Sequence, residues 1–564
     1  MQIQEAITAL QERVGVANTI EELTDNHLAQ SLVTTAAEHP DNLAFTSLGH
    51  SITYAQLNAL SDAFAVYIQQ HTDLQKGDRL AIQLPNLTQY PVVFYGAIKA
   101  GLVVVNTNPL YTDRELVHQF NDSGAKALVV LANVAHAVQD VIPRTGIRYV
   151  IVTEVADLHG ALSRTVINFA SRYIKRMVPA YSIPNAISLR SCLSLGEKGE
   201  IQDPGIDVND VALLQYTGGT TGLSKGAMLS HRNLLSNIEQ QKILFKVFPG
   251  SNEDSPQTVI LPLPMYHVYA CTLCAFMVSK GQHCVLITNP RDLPSMVKTM
   301  AAWPFTIFCG LNTLFVALCA RDDFKALDFS HMTRTISGGM ALTKDAAARW
   351  QDTTGVEVNE GYGLTETSPV VSINTGGIGR KLSSIGVAAP GTEIRIMDAE
   401  GNELPCGEAG ELCVRGPQVM QGYWQQPEKT AEVLSADGWF ATGDIALVDE
   451  EGFPHIVDRK KDMVIVSGFN VYPNEVEDVV SSHEKVLECA VIGVYDERAG
   501  ERVKVYIVKA DPSLTAEEVI AFSRTQLTAY KVPSLVAFID DLPKSNVGKI
   551  LRRELRDIDA AHSE

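Results

Sequence analysis

Positive charge is scarce in this 564-residue chain: 46 Lys and Arg stand against 65 Asp and Glu, a formal charge of −19. So acidic a surface excludes a nucleic-acid partner, which needs a basic footprint, and argues against wholesale electrostatic docking on anionic lipid. An anionic ligand must instead meet a local cluster of positive groups. Cysteine is also sparse: Cys192, Cys271, Cys274, Cys284, Cys309, Cys319, Cys406, Cys413 and Cys489 are odd in number and sit mostly inside apolar runs. Buried reduced thiols fit this better than a disulfide framework. Cys271 and Cys274 form a C-x-x-C, but no second Cys/His pair follows at zinc spacing, and Tyr269, Leu273 and Phe276 around them read as core.

Internal repeats and low-complexity segments are missing, and the start lacks the basic and apolar stretches of a secretory leader. Two windows without Asp, Glu, Lys or Arg, Val259–Ser279 and Thr299–Ala320, are long enough for a membrane span. Pro262, Pro264 and His267 interrupt the first, and Pro304, Gly310 and Asn312 the second, so both read as buried strand-loop-helix passages. With 46% hydrophobic and 20% charged residues the chain reads as a soluble, cytoplasmic, globular protein of several domains.

Up to about residue 385, β-branched runs such as Ala127–Val134 and Tyr149–Val155 alternate with helical stretches such as Leu234–Lys242 and Lys344–Gln351. That alternation predicts an α/β fold with parallel sheets covered on both faces. From about 385 to 457, short strands between Gly, Pro and Asp-Glu turns predict a small β-rich subdomain. Charge concentrates near Asp458, and Val476–Val480, Ala490–Val494, Val503–Val508 and Ala516–Leu527 then make a small α+β unit over residues 458–564, with a hinge at Asp458.

The sharpest local feature is YTGGTTGLSKG, Tyr216–Gly226, after the apolar run VALLQ. Gly218, Gly219 and Gly222 let backbone N–H groups approach an anion, Thr217, Thr220 and Thr221 add hydroxyls, and Lys225 adds a point charge. The loop suits phosphate, although its spacing is not that of a Walker A motif.

Tyr216–Gly226 resembles the phosphate loop of the adenylate-forming superfamily of acyl-CoA synthetases, luciferases and peptide-synthetase adenylation domains. Further motifs agree in order: SGGM at Ser337–Met340, EGYGLTET at Glu360–Thr367, TGD at Thr442–Asp444, DRKKD at Asp458–Asp462 and PKSNVGKILRR at Pro543–Arg553. The similarity runs over nearly the whole chain and is greatest to bacterial long-chain fatty-acid–CoA ligases. It implies a large layered α/β domain, residues 1–457, and a mobile C-terminal domain, with ATP, CoA and a fatty acid as substrates and Mg²⁺ as cofactor.

The resemblance assigns roles by position. Glu366 is the Mg²⁺ ligand, Thr365 donates to the α-phosphate, and Tyr362 offers a face to adenine beside Gly361 and Gly363. Gly338, Gly339 and Glu360 complete the nucleotide site, and Asp444 and Arg459 hold the ribose. Lys549 is the lysine swung in for adenylation, where a fixed cation meets crowding negative charge. Lys544, Arg552 and Arg553 are expected on the surface of the same domain. Adenylation needs Lys549 at the phosphates and thioester formation needs it gone, so a rotation at Asp458 serves both steps. Gly468 would line the pantetheine channel, while Tyr266, His267, Gly310 and Met340, with the two greasy windows, would line an acyl tunnel.

Phe440 and Ala441 stand where the fatty-acid ligase pattern has Leu-His, which leaves medium-chain acids open. A fatty acyl-AMP ligase serving a carrier protein is the other alternative, but the insertion of those relatives is missing between Asp458 and Tyr472. Peripheral contact with the inner membrane and a homodimer also stay open.

Overall fold

The computed structural model describes residues 2–217, 224–250, 255–467, 469–496, 498–545 and 549–563. Among them the strands fall into sheets of seven, nine, four and five. The first runs Ile187–Ser188, Tyr149–Thr153, Ala125–Leu131, Arg79–Gln83, Val103–Asn106, Val211–Thr217 and Lys225–Ser230 from edge to edge. Every neighbouring pair is parallel except the last two strands, which form a hairpin. Near-continuous apolar runs with both faces buried are what a helix-covered parallel sheet requires. Val211–Thr217 is buried at all its inner positions.

The nine-stranded sheet contains, side by side, Val358–Gly363, Arg334–Gly338, Ile307–Gly310, Thr258–Leu261, His283–Leu286 and Leu43–Ser47, all parallel. The chain leaves Thr258–Leu261 to one side for His283–Leu286 and returns to its other side for Ile307–Gly310. Where strand order reverses in this way, a crevice opens outside the carboxyl ends of the strands. Tyr266 and His267 follow one of those ends, and Gly310 is the last residue of the other.

Local chemistry sets the element ends. The helix foreseen over Leu234–Lys242 runs His231–Lys246, because Ser230 and Asn233 form a capping box. That foreseen over Lys344–Gln351 continues to Thr354 and stops at Gly355, which takes the left-handed conformation with φ 76°. The first greasy window becomes Thr258–Leu261 followed by the helix Val268–Ser279, whose residues are buried almost all round, Cys271 and Cys274 included. Burial pushes the Cys271 thiol up to about 12. No described helix is long and apolar enough to cross a membrane.

The antiparallel four-stranded sheet comprises Glu393–Met397, Gly410–Arg415, Phe440–Val448 and Pro454–Arg459. Val387–Ala388, inside the range expected for this subdomain, instead pairs with Val370–Ile373 in the nine-stranded sheet. The last unit folds around its own core of Val464, Val471, Val476, Val491, Val505 and Ile507, with the helices Pro473–Ser481 and Ala516–Arg524 on its sheet.

Asp458 is fully buried, one residue before the end of Pro454–Arg459. Its carboxylate accepts from the backbone N–H of Arg459 at 2.6 Å and of Asn474 at 2.7 Å, and so joins the last strand of the large unit to the first helix of the small one. The Arg552 guanidinium lies 2.9 Å from Glu477, 3.4 Å from Asp462 and 4.0 Å from Asp458. The surface position expected for Arg552 is therefore corrected: two acids of the Asp458–Asp462 segment and Glu477 of the helix Pro473–Ser481 enclose it. Lys544 pairs with Glu488 and Asp541, and Arg553 is exposed as expected.

Candidate active site

The site residues sit on strand ends and turns of three sheets. Thr217 and Lys225 face each other as register partners of the antiparallel pair Val211–Thr217 and Lys225–Ser230. Gly218, Gly219, Thr220, Thr221 and Gly222 lie outside the described residues, as does Gly468. The Tyr216 ring turns into the core beneath the hairpin, where its hydroxyl donates to Asp122 at 2.5 Å. Its side chain thus ties the end of the strand Val211–Thr217 to Asp122.

Glu366 sits on a single helical turn, Thr365–Thr367, directly after the strand Val358–Gly363. The tight approach at Gly363 fixes that junction: a Cβ there would lie 2.0 Å from the Pro369 carbonyl oxygen. The segment Met420–Trp424 stitches turn to hairpin. Met420 N–H donates to the Glu366 carbonyl at 2.8 Å, Trp424 N–H to the Gly226 carbonyl at 2.8 Å, and Tyr423 bridges Ala227. The Tyr423 hydroxyl then donates to Glu366 Oε1 at 2.8 Å, while Lys225 Nζ stands 3.9 Å from the centre of the same ring. Burial lowers the Lys225 ammonium while Glu366 opposes. Tyr423 was not foreseen from the sequence. Its role comes from pairing with a strand almost two hundred positions earlier, and the only local trace is an aromatic pair after Gly422.

On the opposite side Tyr362 donates to Asp444 Oδ2 at 2.5 Å, which fixes its ring between Gly361 and Gly363. Asp444 is buried, pairs in register with Arg459, and faces that residue's Nε at 3.2 Å. Thr442 sets the turn before it, accepting from Asp444 N–H at 3.1 Å and donating to the Leu412 carbonyl at 2.8 Å. Gly338 and Gly361 are register partners at the ends of parallel strands. Gly338 lies under the Tyr269 ring, 3.1 Å from where a Cβ would stand, and Gly339 takes φ 86°. Burial pushes the Glu360 carboxyl up to about 8, although it accepts from Leu342 N–H at 3.2 Å.

The sequence-foreseen acyl residues fall beside this cluster. Gly310 is closed in by the rings of Phe308 and Phe315. Met340 packs against the main core, and the Tyr266 carbonyl accepts from the Gln215 amide at 2.9 Å. His267 caps the helix Val268–Ser279 by accepting Tyr269 N–H at its Nδ1, 3.3 Å away. That bond assigns the proton of the neutral ring to Nε2. Burial and the Lys549 ammonium together push His267 down to about 4. Lys549 comes from the small unit, its backbone pinned to Ser545 by bonds of 2.7 and 3.1 Å. Burial, then the Arg459 guanidinium, lower its ammonium to about 8 while Asp444 opposes. The last unit thus delivers one cation into the electrostatic field of His267, Asp444 and Arg459.

The AMP-binding enzyme family matches residues 32–424, and the AMP-binding enzyme C-terminal domain matches residues 475–549. A long-chain-fatty-acid–CoA ligase of Escherichia coli O6:H1 is 51% identical over 524 residues, 92% of each chain. The crystal structure of an anthranilate CoA ligase in complex with anthranoyl-AMP superposes with a TM-score of 0.83 over 95% of this chain and 98% of that one, a likeness of fold at 23% identity. ATP-bound MatB from Rhodopseudomonas palustris, 29% identical, gives 0.74 over 99% of each chain. Two domain matches in order and a relative identical at half its positions over nearly the full length show that this chain belongs to the AMP-binding enzymes.

Proposed function

We propose that the chain is a long-chain fatty-acid–CoA ligase, which converts ATP, a fatty acid and CoA into acyl-CoA, AMP and pyrophosphate through an acyl adenylate. The observation that supports this most is the Tyr423 ring, which holds Glu366 by its hydroxyl and stands against Lys225, while burial, then Arg459, lower and Asp444 raises the ammonium of Lys549 from the last unit. The ligase named among the relatives supports the substrate class.

In the first half-reaction a carboxylate oxygen attacks the α-phosphorus, and its new P–O bond replaces the one to pyrophosphate. Two anions must meet, so fixed cations and donors set the rate. Lys549 lies between carboxylate and α-phosphate, Thr365 donates to that phosphate, and Thr217 and Lys225 flank the polyphosphate. Asp444 and Arg459 hold the ribose hydroxyls, and the Tyr362 ring, fixed by its hydroxyl, faces adenine. Glu366 fits a magnesium ion, because Tyr423 anchors one carboxylate oxygen and a single carboxylate with phosphates and waters is a common Mg²⁺ set. When bound, the ion neutralises polyphosphate charge. In the second half-reaction the CoA sulfur attacks the acyl carbon, the C–O bond to AMP breaks, and the thiol proton is lost. That step needs the place of Lys549 vacated, by rotation about Asp458.

The acyl chain would lie along Tyr266–Ser279 and the segment around Gly310. A reducing cytoplasmic setting fits the free cysteines, with peripheral contact at the inner membrane as the finer reading. Purified protein with Mg-ATP, CoA and palmitate is expected to release AMP and pyrophosphate and to form palmitoyl-CoA. Lys549→Ala should abolish pyrophosphate release yet still form thioester from supplied palmitoyl-AMP. Equal loss of both half-reactions would remove the lysine from its role, and no AMP from the unmodified protein would remove the function.

A further inference from the structure

The segment Ala161–Ala180 has four basic residues, Arg164, Arg172, Lys175 and Arg176, and no acidic one, in a chain of net charge −19. It folds as the helix Ala161–Phe169 continued by a wider turn, Ala170–Ile174. Helices on globular proteins turn their apolar stripe inward. This one is inverted. Its polar side faces the protein: Asn168 donates to Asp157 at 3.3 Å and accepts from Ala156 N–H at 3.0 Å, and Arg172 contacts Glu154 at 2.5 Å. Its apolar side chains, Leu162, Val166, Phe169, Tyr173, Ile174 and Met177, are between 52% and 80% exposed. Leu162, Val166, Phe169 and Tyr173 follow at helical spacing and form one stripe, with the last two rings 5.0 Å apart.

An apolar stripe flanked by arginine and lysine is the pattern of a helix that lies in the plane of an anionic lipid surface. We infer that residues 161–177 are the segment by which this protein rests on such a surface, the stripe at the headgroup–acyl boundary and Arg164, Lys175 and Arg176 at the phosphates. The inference deepens the peripheral contact proposed above and rests on that reading. Charge selects the occupant. A second copy on a two-fold axis would set the same basic patch against itself, whereas anionic headgroups complement it.

The test is co-sedimentation with vesicles of phosphatidylcholine containing phosphatidylglycerol, against phosphatidylcholine alone. The unmodified protein is expected to bind the anionic vesicles more strongly. Leu162→Ser/Phe169→Ser/Ile174→Ser should lower that binding by about tenfold or more, and Lys175→Gln/Arg176→Gln by about fivefold per charge on anionic vesicles only. All five side chains are exposed, so unchanged thermal unfolding separates lost contact from lost fold. The inference is overturned if the unmodified protein binds neither vesicle, or if the triple variant binds as well as it does. A dimer in lipid-free solution that the triple variant dissociates would also overturn it, making this face a contact between copies. Acyl-CoA formation from a water-soluble medium-chain acid should be unchanged in both variants, so failure of the ligase reading would show in a different assay.

Discussion

A lysine whose ammonium is lowered to about 8 is charged below that pH and neutral above it. If adenylation uses the charged form of Lys549, kcat/KM for pyrophosphate release must fall as pH rises through about 8, since this ratio reports the free enzyme. Lys549→Arg, with its permanently charged guanidinium, should flatten that fall even where its absolute rate is lower. A profile that rises through the same range in the unmodified protein would refute the assignment. Tyr423 offers a second test at this scale. Tyr423→Phe keeps the ring beside Lys225 but removes the hydroxyl that orients Glu366. The magnesium concentration for half-maximal pyrophosphate release should rise by about tenfold, and an unaltered magnesium dependence would show that Glu366 needs no such support. These residues also mark where reading the sequence stops. Glu366, Asp444 and Lys549 could be picked out because each sits in a run of consecutive residues that resembles a motif of the adenylate-forming superfamily. Tyr423 was not, because its contact depends on the edge pairing of Met420–Trp424 with the hairpin.

Individual elements followed their sequences wherever a cap or an apolar run decided the matter. Val211–Thr217 is a strand, Gly355 ends its helix, and capping at Ser230 lengthens the helix His231–Lys246 beyond its apolar core. Arg552 was misread for the opposite reason. A basic cluster such as Lys549–Arg553 looks like a solvated face, and nothing within it announces that Asp458, Asp462 and Glu477 close around one member. Arg552→Met would leave those carboxylates without their counter-charge. A loss of about 3–5 kcal/mol is expected, the range for removing one partner of a buried charged cluster. Urea unfolding followed by a probe in the last unit measures it. A midpoint within error of the unmodified protein would mean that Arg556, 2.8 Å from Asp462, suffices.

Across the whole molecule, separate cores predict separate melting. The last unit has its own buried clusters around Val491 and Ile492, distinct from the main core of the large sheets. Calorimetry should therefore show more than one transition, and Arg552→Met should lower only that of the last unit. A single transition that shifts as a whole would mean that the Asp458 junction couples the two units fully. At this scale the α/β class and the order of the units were plain from alternation and texture. The inverted helix over Ala161–Ile174 was not, since periodicity tells that a helix has an apolar side but not toward what it turns.

Asp458 and Arg459 face Ile445 and Asp444 on adjacent rungs of one two-stranded ladder. With the rotation and the ribose contacts proposed above, pivot and clasp would be neighbours on that ladder. A sugar seated on Asp444 and Arg459 would brace the root of the swinging unit, and an empty seat would leave it slack. Departure of AMP and readiness for the next turnover would then be one mechanical event.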